Sequence, residues 1–387
     1  MLSRRIPPVT TPNAWSLRLA ARRAAGLPVA DLTATNPTRC GLSPLAEAGE
    51  ILARWSGVDH APDALGGAAA RSAIARYHAG RGLALAPADI ALTASTSEAY
   101  AQLFRLLADP GQSVLAPAPG YPLLEPLARA EGVELRPYRL AYDGRWHLDR
   151  DSLERAAPGA KAVIVVEPNH PTGSCLDAGE RAFVEDLCAR HGLALIADEV
   201  FGEFPRPPAT APFASWLGER RHPTFVLGGL SKLCGLPQLK LAWIAVAGPA
   251  PARREAMAGL EWLGDLFLSV GAPVQAALPE LLELRESFVS GVRARIAANL
   301  AALDELVRER PEFAVLVADG GWSAVLRVPA TRGDEAWALA LLDRGVAIHP
   351  GHFYDFAAGE HLAASLIVET GTFAAAITEL ANVPVSD

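Results

Sequence analysis

Residues 160–200 read "AKAVIVVEPNHPTGSCLDAGERAFVEDLCARHGLALIADEV". An apolar run, "KAVIVVEP" (161–168), passes through a Pro- and Gly-containing turn into a helical stretch, "GERAFVEDLCARHG" (179–192). A second apolar run, "LALIADEV" (193–200), follows at once. Short apolar runs alternating with helices of this length give a parallel sheet covered on both faces. Five further runs extend the pattern: "DIALTAS" (89–95), "SVLAPAP" (113–119), "VELRPYRL" (133–140), "TFVLGGL" (224–230) and "LAWIAVAG" (241–248). Residues 46–270 therefore read as a large α/β domain with a mostly parallel, seven-stranded sheet. Beyond 270 the pattern changes to long Arg- and Leu-rich helices over 274–310. Four short runs follow, "FAVLVAD" (313–319), "SAVLRVP" (323–329), "GVAIHP" (345–350) and "SLIVET" (365–370). Residues 1–45 and 271–387 read as a smaller α+β domain.

The length of 387 residues suits two or three domains sharing an interface. Half the residues are apolar, and a formal net charge of −8 with no basic run argues against nucleic acid as a partner. That balance fits a cytoplasmic globule, and no apolar run approaches the roughly 20 residues that cross a bilayer. Cys40, Cys175, Cys188 and Cys234 are scattered without a C-x-x-C pair, so they read as reduced thiols and no metal site is expected. The N-terminal arginines superficially resemble a transit peptide. "NAWSLRLAARRAAGLP" (13–28) fits a structural helix better, with a cap at Asn13 and a stop at Gly26 to Pro28.

In an open α/β sheet, ligands bind beyond the carboxyl ends of the strands. There this chain places "TASTSEAY" (93–100), "PGYP" (119–122), "EPNHPTGS" (167–174), Asp198 and "GGLSK" (228–232). Small hydroxylated residues opening a helix suit an anion held by backbone N–H groups and the helix dipole. The chain has only three lysines among 35 lysines and arginines, and two of them stand in "GGLSKLCGLPQLKLAWI" (228–244). A lysine kept where arginine is the default cation points to amine chemistry, because an amine can lose its proton and form a Schiff base.

Four landmarks in order, "PGYP", "NHPTG" (169–173), "DEV" (198–200) and "SKLCGLPQLKLAW" (231–243), resemble the class I/II aminotransferases of fold type I, which use pyridoxal 5′-phosphate. The resemblance covers nearly the whole chain. It implies that Lys232 is the Schiff-base lysine and later the general base, and that Asp198 pairs with the pyridine nitrogen. It further implies that Tyr121 stacks on the ring, that Ser95, Thr96, Ser97 and Ser231 hold the phosphate, and that Lys240 stands where relatives place an arginine on that phosphate. The residues leave alternatives open. Ser95 to Glu98 is also a capping box, "PGYP" also a rigid turn, and an acid at a strand end also a turn cap.

Several positions depart from the family's pattern. His170, preceded by Asn169, stands where relatives have the asparagine that bonds the phenolic oxygen, and Phe201 replaces a tyrosine on the same atom. His170 is then expected to donate to that oxygen alone and to make the cofactor absorbance pH-sensitive. His60, in "HAPDALG" (60–66), replaces a tyrosine that reaches the phosphate from the neighbouring subunit, or is a surface loop histidine. Gly229 replaces a phosphate-binding serine. Ala363, in "LAAS" (362–365), replaces the arginine that grips the substrate carboxylate. Candidates to take over that grip are Asn36 and Arg39 in "NPTRCG" (36–41), and His352 and Tyr354 in "PGHFYDF" (350–356).

The resemblance implies a homodimeric aminotransferase that moves an amino group between an amino acid or related amine and a 2-oxo acid by a ping-pong cycle. The alternatives are another reaction on the same cofactor, such as decarboxylation, β-elimination or a Claisen-type condensation, and a non-catalytic sensor built on the same fold.

Overall fold

The computed structural model describes residues 3–7, 11–57, 59–207, 213–357 and 359–385. Helix α1 (Ala14–Ala24) and strand β1 (Ala30–Asp31) lead into α2 (Leu45–Ala53) and α3 (Ala68–Ala79). Then come β2 (Ile90–Thr93), α4 (Thr96–Leu107), β3 (Ser113–Ala118), α5 (Leu124–Glu131), β4 (Glu134–Tyr142) and β5 (Trp146–Leu148). Next are α6 (Arg150–Ala156), β6 (Ala160–Val166), α7 (Ala178–His191), β7 (Ala194–Asp198), β8 (Thr224–Gly229), α8 (Leu230–Leu233) and β9 (Ala242–Ala247). Helices α9 (Ala250–Asp265), α10 (Ala272–Glu283) and α11 (Arg285–Glu309) precede β10 (Ala314–Val315) and β11 (Ser323–Arg327). The chain ends with α12 (Asp334–Asp343), β12 (Val346–Ala347), β13 (His349–Pro350), β14 (His361–Ser365) and α13 (Thr370–Ala381).

The helix boundaries follow the local chemistry. Asn13 Oδ1 accepts from the Ser16 amide at 2.7 Å, so the N-terminal segment is the capped helix expected of it. Asp177 and Glu180 close a capping box on α7, and Gly192 ends that helix in the left-handed region at φ 64°.

The large sheet has the order β2-β9-β8-β7-β6-β3-β4-β5. Strands β8, β7, β6, β3 and β4 run parallel, whereas β9 is antiparallel to both β8 and β2. The link from β8 to β9 holds only the short α8 and a 3₁₀ turn, too little for the crossover that a parallel neighbour requires. All seven expected runs are strands. The eighth, β5, pairs antiparallel with β4 over three residues, and such a short run carries no periodicity to read.

Alternation along the strands explains the uninterrupted apolar runs. Val163, Val165, Leu195 and Ala197 enter one core with α3, α7 and α10, while Ile164, Val166 and Ile196 enter the opposite core with α4, α5 and α9. The second, antiparallel sheet, β10-β11-β14-β13, packs in a separate apolar cluster with α1, α11, α12 and α13. Helix α10 packs on α2 and α3, so the change of pattern at 271 falls one helix before the change of packing partner. The last strand is His361–Ser365 rather than "SLIVET". Beyond Ser365 the Leu366 and Val368 carbonyls accept from Asn299 Nδ2, at 2.9 and 2.8 Å, in place of a strand neighbour. Among the described residues no helix is long and apolar enough to cross a membrane.

Candidate active site

A cavity of about 190 Å³ lies beyond the carboxyl ends of the parallel strands. Its floor is formed by Thr96 at the start of α4, Tyr121, Asp198, Gly229, Ser231 and Lys232, and Trp322, Ser323 and Thr35 close it from the smaller sheet and the N-terminal segment. Ser95 caps α4, with Oγ accepting from the Glu98 amide at 3.2 Å. The Glu98 carboxylate accepts from the Ala94 amide and not from that of Ser95, so Ser95 caps α4 without the reciprocal bond of a capping box.

Lys232 and Asp198 form the electrostatic centre. Burial lowers the Lys232 amine to about 8, against the raising effect of the Asp198 carboxylate. Its Nζ lies 5.0 Å from the Trp322 ring centroid and 5.7 Å from that of Phe201. Burial raises Asp198 to about 6, opposed by the Val200 amide, by Tyr100 and by Lys232. The Tyr100 hydroxyl donates to Asp198 Oδ2 at 2.9 Å, and the Val200 amide donates to Oδ1 at 3.2 Å. Burial first, and the Asp198 charge second, hold the Tyr100 phenol protonated as that donor.

His170 lines the same cavity, with Nδ1 3.2 Å from Ser323 Oγ and its ring 5.3 Å from that of Tyr354. Burial, and then the charge of Lys232, lower its pKa to about 3. The expected pH sensitivity near neutrality is therefore corrected: the enclosed imidazole stays neutral there. Phe201 also lines the cavity and packs on Trp322 with centroids 5.4 Å apart. Burial, and then Asp198, raise the Tyr121 phenol, while a hydrogen bond with Ser97 lowers it.

Other sequence candidates fall elsewhere. Asn169 Nδ2 donates to Pro119 O at 3.0 Å and to Thr172 Oγ1 at 2.8 Å, holding two loops together instead of facing the cavity. Lys240 is exposed, in the left-handed region at φ 53°. His60 lies in a different cleft, with Ser269 and Gln275. Asn36 caps the turn Pro37–Arg39, and both Asn36 and Arg39 are exposed. His352 is exposed, with its amide donating to Asp334 at 2.7 Å. Tyr354 is buried, with its hydroxyl 2.7 Å from His349 Nδ1. Sequence reasoning missed Thr35, Tyr100, Trp322, Ser323 and His349. Only Tyr100 left a signal, as one of two polar side chains, with Gln102, among the buried residues of α4.

The arrangement fits pyridoxal phosphate. It offers an amine of lowered pKa to an aldehyde, a fixed buried carboxylate to a pyridine nitrogen, a tyrosine ring for stacking, and a helix N-terminus with hydroxyls for a phosphate. At Gly229 the wall is so close that a Cβ would meet that of Ala242 at 2.9 Å, which leaves bare backbone facing the cavity.

Comparison with known proteins agrees with this geometry. The chain is 34% identical over 240 residues to nicotianamine aminotransferase B of Hordeum vulgare, across 60% of this chain and 43% of that protein. It is 30% identical over 244 residues to the S-alkyl-thiohydroximate lyase SUR1 of Arabidopsis thaliana, across 60% and 51%. The chain thus spans about half the length of the curated relatives it matches. Among solved structures, alanine aminotransferase from Pyrococcus furiosus superposes with a TM-score of 0.88 at 20% identity, over 98% of both chains, which shows a shared fold. The family model for aminotransferase class I and II matches residues 45–363, and the chain belongs to that pyridoxal-phosphate family.

Proposed function

We propose that the protein is a pyridoxal-phosphate-dependent aminotransferase. It moves an amino group from an amino acid or related amine to a 2-oxo acid in two half-reactions at one site. The observation that carries this reading is the buried Lys232 amine, lowered to about 8 in the same cavity as Asp198, at the strand ends of a class I/II aminotransferase.

When bound, pyridoxal phosphate supplies the electron sink for the substrate's α-carbon. Lys232 Nζ, an amine whose pKa burial lowers to about 8, would carry the proton to and from that carbon. Asp198 would hold a proton at the pyridine nitrogen, and Tyr100 and the Val200 amide fix its carboxylate. Thr96, Ser231 and the start of α4 would hold the phosphate, with Ser95 and Ser97 beside them. Trp322 and Phe201 keep water from Lys232.

A homodimer fits the surface. Trp262 and Phe267, 66% and 61% exposed, stand at the end of α9, whose continuation lines the cleft that holds His60. Such an apolar patch calls for a partner, and His60 would then reach a neighbouring site. The free cysteines and the composition support a cytoplasmic location.

A second reading, cleavage or elimination at the same carbon, is favoured by the similarity to a protein named as a lyase. A non-catalytic sensor is disfavoured by the preserved Lys232 and Asp198. The test is to load the protein with cofactor and add a panel of amines. Pyridoxamine phosphate with a carbonyl product supports amino transfer, and release of CO₂ or a side-chain fragment supports the second reading. If no amine changes the spectrum, the proposal is refuted.

A further inference from the structure

The cavity poses a problem of charge. Among the described residues lining it, Lys232 is the only lysine, and no arginine is present. Its walls are the rings of Trp322, Phe201, Tyr121 and His170. A carboxylate entering such a site would lose its hydration with no guanidinium to receive it.

The sheet face above the cavity is uncharged as well. Ser323 points into the cavity, and residues two apart on a strand, or directly opposite on a neighbour, share a face. Val325 therefore lies on that face, as do Ala363, its partner on β14, and His349, the partner of Ala363 on β13. Ser365, opposite Ser323, donates to Ala34 O at 2.7 Å. The His349 imidazole is engaged with the Tyr354 hydroxyl, and the Tyr354 ring meets His170 edge-on. This space thus holds small, apolar or neutral hydrogen-bonding groups.

Arginines close in sequence or space lie outside the cavity lining. Arg295 Nη1 donates to Cys40 O and Ile367 O at 3.3 and 3.2 Å. Arg206 is buried behind Gly173, where the Asp319 charge opposes the effect of burial on it and its Nε and Nη2 have no partner among the described residues. Arg39 sits exposed on its turn, outside the cavity lining.

We propose that the site selects primary amines whose reacting carbon carries no free carboxylate, with an aromatic or bulky apolar body lying against Trp322 and Phe201. This rests on the aminotransferase reading and narrows its substrate class. The donor's C–N bond is broken, and its nitrogen and the electron pair of its α C–H bond pass to the cofactor. Net, amine plus cofactor aldehyde gives an aldehyde or ketone plus pyridoxamine phosphate, with no other reactant.

The test uses matched pairs that differ only in the carboxylate: 2-phenylethylamine against phenylalanine, tyramine against tyrosine, and 3-methylbutylamine against leucine. With holoenzyme, formation of pyridoxamine phosphate is expected to be at least ten-fold faster, as rate over half-saturation, for the amine of each pair. Calorimetry supplies a readout without turnover: 3-phenylpropanol is expected to bind more tightly than 3-phenylpropionate. The change Ala363→Arg is expected to move the ratio toward the amino acid, and Arg39→Ala to leave it unchanged. Faster reaction of the amino acids, or a ratio that depends on Arg39, overturns this inference and leaves amino transfer standing. No half-reaction with either member of any pair overturns both.

Discussion

Replacing Asp198 by asparagine separates the fold's interest from the site's. Burial raises this carboxyl from 3.8 to about 6. A group whose folded pKa is raised contributes fully to stability below its unfolded value and loses that contribution as pH rises through the folded value. Here the loss runs from 3.8 to about 6. At about 1.4 kcal/mol per pH unit, the ionised carboxylate therefore costs the cofactor-free protein about 3 kcal/mol above that window. An amide removes the charge but turns one NH₂ toward either Tyr100 or the Val200 amide, losing about 1 kcal/mol of hydrogen bonding. The net expectation for Asp198→Asn is a gain of about 2 kcal/mol at about pH 7.5, shrinking to nothing by about pH 4.5, where the folded carboxyl is protonated and the remaining penalty of about 1 kcal/mol only matches the lost hydrogen bond. Urea unfolding of both cofactor-free proteins at the two pH values measures it. The Lys232 amine gives a parallel readout, since losing the charge that raises it moves its titration lower. The holoenzyme of the variant is expected to lose most activity. Equal or lower stability of the variant near neutrality, or a gain that does not depend on pH, would refute the reasoning.

The remaining predictions concern the two departures nearest the cofactor. Because His170 is lowered to about 3, His170→Asn is expected to leave the pH profile of activity between about 6 and 9 unchanged, as a cofactor absorbance titration would show. Its depressed folded pKa adds stability above 6.5 that drains away as pH falls toward about 3, so the variant is expected to show a shallower loss of stability with acid. Gly229→Ser places a Cβ 2.9 Å from that of Ala242 and 3.2 Å from Leu241 O. A cost of about 1–3 kcal/mol in thermal or urea unfolding is expected. The added hydroxyl is not expected to tighten cofactor binding, and a lower cofactor Kd without loss of stability would contradict the packing argument.

The parts of the fold legible in the sequence are those whose signal is local. Runs such as 161–168 and 193–200 are apolar at every position because each strand feeds cores on both faces, and that follows from composition alone. The residues after each run could be gathered at one edge because parallel strands end together. What remained hidden depends on tertiary enclosure. His170 reads as titratable until burial and Lys232 surround it. Asn169, one position away, looks equally able to reach a ligand until its amide is found spanning Pro119 and Thr172. Trp322 and His349 come from the smaller sheet and its edge, and no spacing in the chain announces that Trp322 faces Lys232 or that His349 bonds Tyr354. The end of the last strand was misplaced because Leu366 and Ile367 are as buried as strand residues, although Asn299 takes the neighbouring carbonyls.

The glycines before Ser231 tie this buried geometry to the reactive lysine. In sequence Gly228 and Gly229 look like a flexible lead-in, yet each is matched to a specific neighbour across the ladder, Gly228 to Trp243 and Gly229 to Ala242. A Cβ on Gly228 would lie 2.6 Å from the Trp243 ring, which is itself buried and meets Tyr77 and His78 edge-on. The two strands therefore approach as closely as backbone allows. This matters because α8, which carries Lys232, spans only Leu230–Leu233, too short to be stable by its own hydrogen bonds. It is held from outside: the Leu230 amide donates to Leu241 O at 3.0 Å, and Leu230, Leu233 and Cys234 are buried. The bare glycine pair lets β9 come near enough to make that contact. The hydroxyl absent at Gly229 and the fixed position of the Lys232 amine are thus two consequences of one packing solution.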